Sequence, residues 1–147
     1  MKSRAEISVE IFDKGFNCAQ AVFCSHCEEY GLAEDTAKKI SSGFGAGLGY
    51  NAEVCGAVTG ALMLIGLKNG KYLESDNESK DKTYNLVKEF TEKFKKEYGT
   101  INCKELIKYD LSKEEELLKA RASGIFKERC PNLVKRSVEL TEEILKK

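Results

Sequence analysis

Cysteine is the residue type with the most chemistry to offer here: it occurs six times in 147 residues, against a single histidine, His26. A thiolate is both a nucleophile and a metal ligand. A reducing compartment disfavours structural disulfides, so thiol clusters there point to metal binding or redox work. Four of the six cysteines share one local setting. Cys18 follows Asn17 and Cys103 follows Asn102, and asparagine is a favoured helix N-cap. Cys55 opens a helix after a glycine-rich stretch, and Cys130 precedes Pro131, a residue suited to the first helical position. Free N–H groups and the positive dipole end at a helix start favour the thiolate. If these helices begin around one centre, Cys18, Cys55, Cys103 and Cys130 converge on one site. The competing reading makes each a small buried apolar residue.

Cys24 and Cys27 form a second group. At ~100° per residue they face the same way, about 60° apart, while Cys27 points about 180° from Cys18. Cys24-Ser-His-Cys27 has C-x-x-C spacing, but the pattern places it inside a helix, whereas redox pairs of this type open one. It is not a c-type haem site, because Glu28 rather than histidine follows Cys27. Core thiols are the better reading, and His26 reads as a packed or surface histidine. One histidine also rules out a His-rich zinc site. Gly43, Gly45, Gly47 and Gly49 do not fit G-x-G-x-x-G, and no Gly-Lys-Ser/Thr follows, so a nucleotide loop is unsupported. Their spacing suits close chain packing or a nest of backbone N–H groups beside Cys55. Gly56 and Gly60 let another helix or a bulky cofactor approach the backbone.

The elements that must position these residues are helical. Proline occurs once and no strand-like alternation lasts. The periodicity predicts helices over 3–14, 18–30 and from about 34 into the glycines, then 54–67, 77–98, 103–108, from Ser112 to Ala122, and from Cys130 to 147. Ser112 with Glu115 has capping-box spacing. The expected fold is an all-α, compact bundle of about six to eight helices, with 1–147 as a single domain. Lys+Arg and Asp+Glu are both 24, giving zero net charge, and basic residues in 80–96 are interleaved with acids. No nucleic-acid footprint follows. The apolar run from Val54 to Leu67 falls short of the ~20 residues needed to span a bilayer, so no membrane insertion is expected. Residues 1–15 lack an apolar signal core, and a cytoplasmic protein is expected.

The segments around the cysteines resemble a known family. Cys55-Gly-Ala-Val-Thr-Gly60 matches the C-G-A-x-x-G signature of the redox-active C_GCAxxG_C_C proteins. Phe16-Asn-Cys-Ala-Gln-Ala-Val22, Ser42-Gly-Phe-Gly-Ala-Gly47, Ile101-Asn-Cys-Lys-Glu-Leu106 and Cys130 agree in order and spacing. The resemblance spans about residues 10–145 and places the four family cysteines at Cys18, Cys55, Cys103 and Cys130. It implies a small helical redox protein. A similar domain in split-Soret-type cytochromes is associated with an iron–sulfur cluster, but this chain has no C-x-x-C-H, so no haem part carries over.

Three functions are therefore open. The four cysteines could bind an iron–sulfur cluster, with [2Fe–2S] the expected type, for electron transfer to an unidentified redox partner. They could work as dithiol pairs in a thiol/disulfide oxidoreductase. The domain could instead be a zinc-binding or purely structural interaction module, although structural zinc sites use close C-x₂₋₄-C pairs and these four are dispersed. A homodimer is compatible with all three.

Overall fold

The computed structural model describes residues 1–146. Eight right-handed α-helices build it: α1 (Arg4–Asp13), α2 (Cys18–Cys24), α3 (Glu34–Ser41), α4 (Gly56–Asn69), α5 (Asn77–Tyr98), α6 (Cys103–Ile107), α7 (Glu114–Ser123) and α8 (Ile125–Leu145). Among the described residues there is no strand beyond one isolated antiparallel bridge, Val54 to Asn102. The fold is all-α, as expected.

Local signals explain most boundaries. Ser3 and Glu6 make a reciprocal capping box on α1, and Asn17 and Gln20 make one on α2. Asp76 accepts from the Ser79 N–H to start α5, and Gly99, at φ 83°, ends it. α2 is shorter than its apolar pattern implies. It stops at Cys24, where the Ser25 hydroxyl donates to the Val22 carbonyl, and the chain turns through residue 31. The Ser112–Glu115 cap does not form: Ser112 Oγ donates to Asp110, and α7 starts without a side-chain cap.

The last helix starts five residues before its expected beginning. Gly124, at φ 77°, turns the chain out of α7, and Ser123 Oγ accepts from the Ile125 N–H. Pro131 therefore lies inside α8, where its missing N–H costs one helical bond. Cys130 is consequently not a cap residue; it sits in the second turn of α8.

Two apolar clusters divide the interior. The larger joins α1, α2, α4, α5 and α8 around Val22, Val58, Leu64, Phe90, Phe94 and Val138, and α2 makes its most extensive contact with α4. Burying such side chains contributes roughly 1.5–3 kcal/mol each. The smaller joins Ala52, Cys103, Ile107, Leu111, Ala120 and Cys130. Cys18, Phe12 and their neighbours pack against both, so the seam between the clusters runs past the starts of α2, α4 and α6. None of the helices among the described residues is long and apolar enough to cross a membrane.

Candidate functional site: a four-cysteine cavity at the seam

Cys18, Cys55, Cys103 and Cys130 all line one cavity of about 230 Å³, open to solvent on one side. They reach it from four helices that are distant in sequence. Phe12, Ile107, Leu111, Phe126 and Leu133 complete much of its apolar wall, and no Asp, Glu or His contributes. If sealed and empty, a void of this size would cost on the order of 5 kcal/mol. Hydrogen bonds and close-packed glycines fix the backbone around it.

Three backbone hydrogen bonds lock the wall. The Cys55 N–H donates to the Ile101 carbonyl at 2.8 Å, the Cys103 N–H to Glu53 at 2.6 Å, and the Glu53 N–H to Gly47 at 2.9 Å. The first two flank the isolated bridge and set Cys55 beside Cys103. On the other side, the Asn17 side chain caps α2 and donates from Nδ2 to the Ser42 carbonyl at 2.9 Å. That ties Cys18 to the glycine-rich segment.

The glycine-rich segment folds into a single left-handed turn. Ala46, Gly47, Leu48, Gly49 and Tyr50 all have φ between 55° and 68°. A left-handed conformation costs roughly 1–2 kcal/mol per non-glycine residue, so this turn holds strain at the cavity wall. Gly47 is required there: a Cβ would lie 2.7 Å from the Glu53 nitrogen and 2.8 Å from Cys103 Cβ. Gly56 lines the cavity and brings α4 against α2, where a Cβ would lie 3.2 Å from Cys18 Cβ. Gly60 does not line it. It faces Ala19 and Val22 of α2, with a Cβ position 2.8 Å from the Ala19 carbonyl.

Helix starts do not make Cys18, Cys55 or Cys103 acidic. Contact with Cys130 raises the Cys18 thiol well above the usual range, and burial adds to it. Burial pushes Cys55 up to about 12, with the nearby Cys18 adding; the N–H groups of Ala57 and Val58 and the charge of Arg129 oppose this without reversing it. Burial, then Cys55 and Cys18, push Cys103 up to about 12. Desolvation and mutual repulsion outweigh the dipole. The Cys55 and Cys103 N–H groups are also spent on the bridge.

Cys24 and Cys27 lie elsewhere. Cys24 ends α2, Cys27 follows in the turn, and both are buried in the larger cluster. Burial pushes Cys24 up to about 12 and raises Cys27 as well. His26 is buried too, at 6% exposure, with Nδ1 2.8 Å from Glu29 and its ring stacked on Tyr30. Its Nε2 stands 3.3 Å from Glu142 of α8 without hydrogen-bond geometry. None of these residues lines the cavity.

Sequence reasoning missed Tyr50 and Arg121, which line the cavity and are also exposed to solvent. Arg121 Nη2 lies 3.4 Å from the Tyr50 hydroxyl, and the guanidinium lies 5.7 Å over the ring centre. Helical periodicity carries no signal for either contact.

No group of three or more His, Cys, Asp or Glu side chains among the described residues is placed to hold a single metal ion. All four thiols line the cavity wall, and Cys18 lies near enough to Cys130 and Cys55 for each to influence the other's thiol. A donor set of four thiols and no carboxylate or imidazole still fits an iron–sulfur cluster in kind.

No curated protein and no solved structure matches the chain. One family model does, over residues 16–144, a span that takes in all four cavity cysteines, and the chain belongs to the family it describes as "Putative redox-active protein (C_GCAxxG_C_C)".

Proposed function

We propose that the protein carries electrons through an iron–sulfur cluster, [2Fe–2S], held by Cys18, Cys55, Cys103 and Cys130. The observation behind this is the gathering of those four thiols, from four separate helices, on one apolar cavity of about 230 Å³. A bound cluster would supply one-electron redox chemistry. The protein's own part is to supply four sulfurs, keep the wall dry and hold the loops that present them. The raised pKa values support a ligand role over a nucleophilic one. Thiols held at about 12, as at Cys55 and Cys103, attack slowly near neutral pH, whereas a metal centre can displace their protons. Loading should release protons and strengthen as pH rises.

The test is anaerobic purification followed by iron and acid-labile sulfide assays and an absorption spectrum. Iron and sulfide in equal amounts, with visible absorption, are expected. A colourless, iron-free protein from intact anaerobic cells contradicts the proposal.

One pairing favours a second reading. Cys18 and Cys130 line the same cavity, and Cys130 is the strongest influence on the Cys18 thiol. As a dithiol they would form a disulfide, releasing two protons and passing two electrons to a disulfide substrate, which leaves as two thiols. Thiol counting across a redox titration distinguishes the two. Paired loss of Cys18 and Cys130 alone supports the dithiol; unchanged alkylation of both rules it out.

A further inference from the structure

We propose that Tyr50 and Arg121 form an anion-selecting gate over the cysteine cavity, so that the molecule admitted to the four thiols is small, apolar in body and carries a carboxylate. This rests on the redox reading of the cavity in its cluster-free, thiol form, since a cluster would occupy the four sulfurs, and it adds the class of molecule that reaches them. Arg121 is the one charged residue lining a largely apolar chamber, among the described residues. It is exposed on α7 and also lines the chamber. Its contacts are with Tyr50, through the hydroxyl at 3.4 Å and the ring face at 5.7 Å.

Tyr50 is the second half of the gate. It is 46% exposed yet lines the same chamber, and it ends the left-handed turn at φ 68°. A tyrosine in that conformation is strained, and strain of this kind is held where the surrounding structure fixes a residue in place. A planar guanidinium recognises a carboxylate through two parallel hydrogen bonds. An incoming carboxylate would draw Arg121 off Tyr50 and leave the apolar remainder facing Phe12, Phe126 and the cysteines.

Iodoacetate and iodoacetamide test this on the reduced, metal-free full-length protein. In both reactions a cysteine sulfur bonds the reagent's methylene carbon, iodide leaves, and the thiol proton passes to buffer. The reagents differ in charge, and rates are taken relative to free cysteine. The wild type should favour iodoacetate. Arg121→Gln should slow iodoacetate by roughly two- to fivefold, the range of an exposed ion pair, and leave iodoacetamide unchanged. Arg121→Glu should lower the iodoacetate ratio further, and Arg121→Lys should keep part of it. Equal slowing of both reagents would overturn the gate, because Arg121 would then be acting on thiol acidity. No change in either variant would overturn it as well. Circular dichroism confirms that the variants fold, as an exposed position leads one to expect. An iron-free wild-type protein would defeat the cluster reading and leave the gate standing, since alkylation uses metal-free protein.

Discussion

The two groups of thiols differ less in burial than in what they face. Cys24 and Cys27 are 9% and 0% exposed, and Cys55, Cys103 and Cys130 are 4%, 7% and 5% exposed. Burial raises the pKa in both groups, to about 12 at Cys24, Cys55 and Cys103 alike. Cys18 alone is half-buried, and neither burial nor a raised thiol pKa sets Cys24 and Cys27 apart from Cys55 and Cys103. The separation comes from packing: Cys24 and Cys27 are filled in by the larger apolar cluster, while the other four border a chamber that the backbone holds open. Candidate redox chemistry in this protein follows the void and the convergence of four helices, not the thiol as such.

The largest expected effect tests how that void is held. Gly47→Val places a branched side chain at φ 66°, against the Glu53 nitrogen and Cys103 Cβ. It should destabilise the fold by about 3 kcal/mol in urea unfolding and abolish iron loading. A neutral effect would show that the left-handed turn is not needed for the wall.

Next come the thiols themselves. Cys27→Ser buries a hydroxyl in the apolar core and should cost about 1–3 kcal/mol with iron content unchanged. Cys103→Ser, on the open chamber, should cost less than about 1 kcal/mol yet remove the iron. The contrast fails if stability and iron content fall together in both variants.

Alkaline titration tests the same division through proton binding. In the unfolded chain these thiols lose protons near their ordinary value of 9, whereas folding holds Cys55 and Cys103 to about 12. The folded state thus binds more protons between those values, so stability should fall as pH rises from about 9 toward 12. In cluster-loaded protein the four cavity thiols no longer carry protons. The loss there should be shallower and should reflect Cys24 and Cys27. Equal slopes in loaded and metal-free protein would deny the distinction. The smallest change is a control away from both groups. Gly66→Ala in α4 meets nothing within 4 Å and should stabilise by about 0.5–1 kcal/mol in thermal or urea unfolding.

Much of this was legible in the sequence because the signals were local. Asn17 and Asn102 act within a few residues, and they place α2 and α6 correctly at their starts, while the 77–98 expectation matches α5. Cys130 is not the cap that Pro131 suggests, because Ser123 and Gly124 start α8 five residues earlier. The low thiol pKa values failed because helix position is a local property and desolvation is a tertiary one. The Val54–Asn102 bridge, the left-handed turn and the Tyr50–Arg121 contact join residues up to 71 positions apart, and no periodicity encodes such meetings. The glycine spacing indicated close packing without saying against what. Gly47 meets Cys103, and Gly60 meets α2 instead of the cavity.

The division of six thiols into four and two is tested most directly by residue-resolved alkylation. Iodoacetamide labelling with mass spectrometry is run on the metal-free protein, and again after anaerobic reconstitution with iron and sulfide. A shared site predicts that Cys18, Cys55, Cys103 and Cys130 become protected together, while Cys24 and Cys27 label as before. Protection that includes Cys24 or Cys27, or that leaves any of the four unchanged, would contradict it.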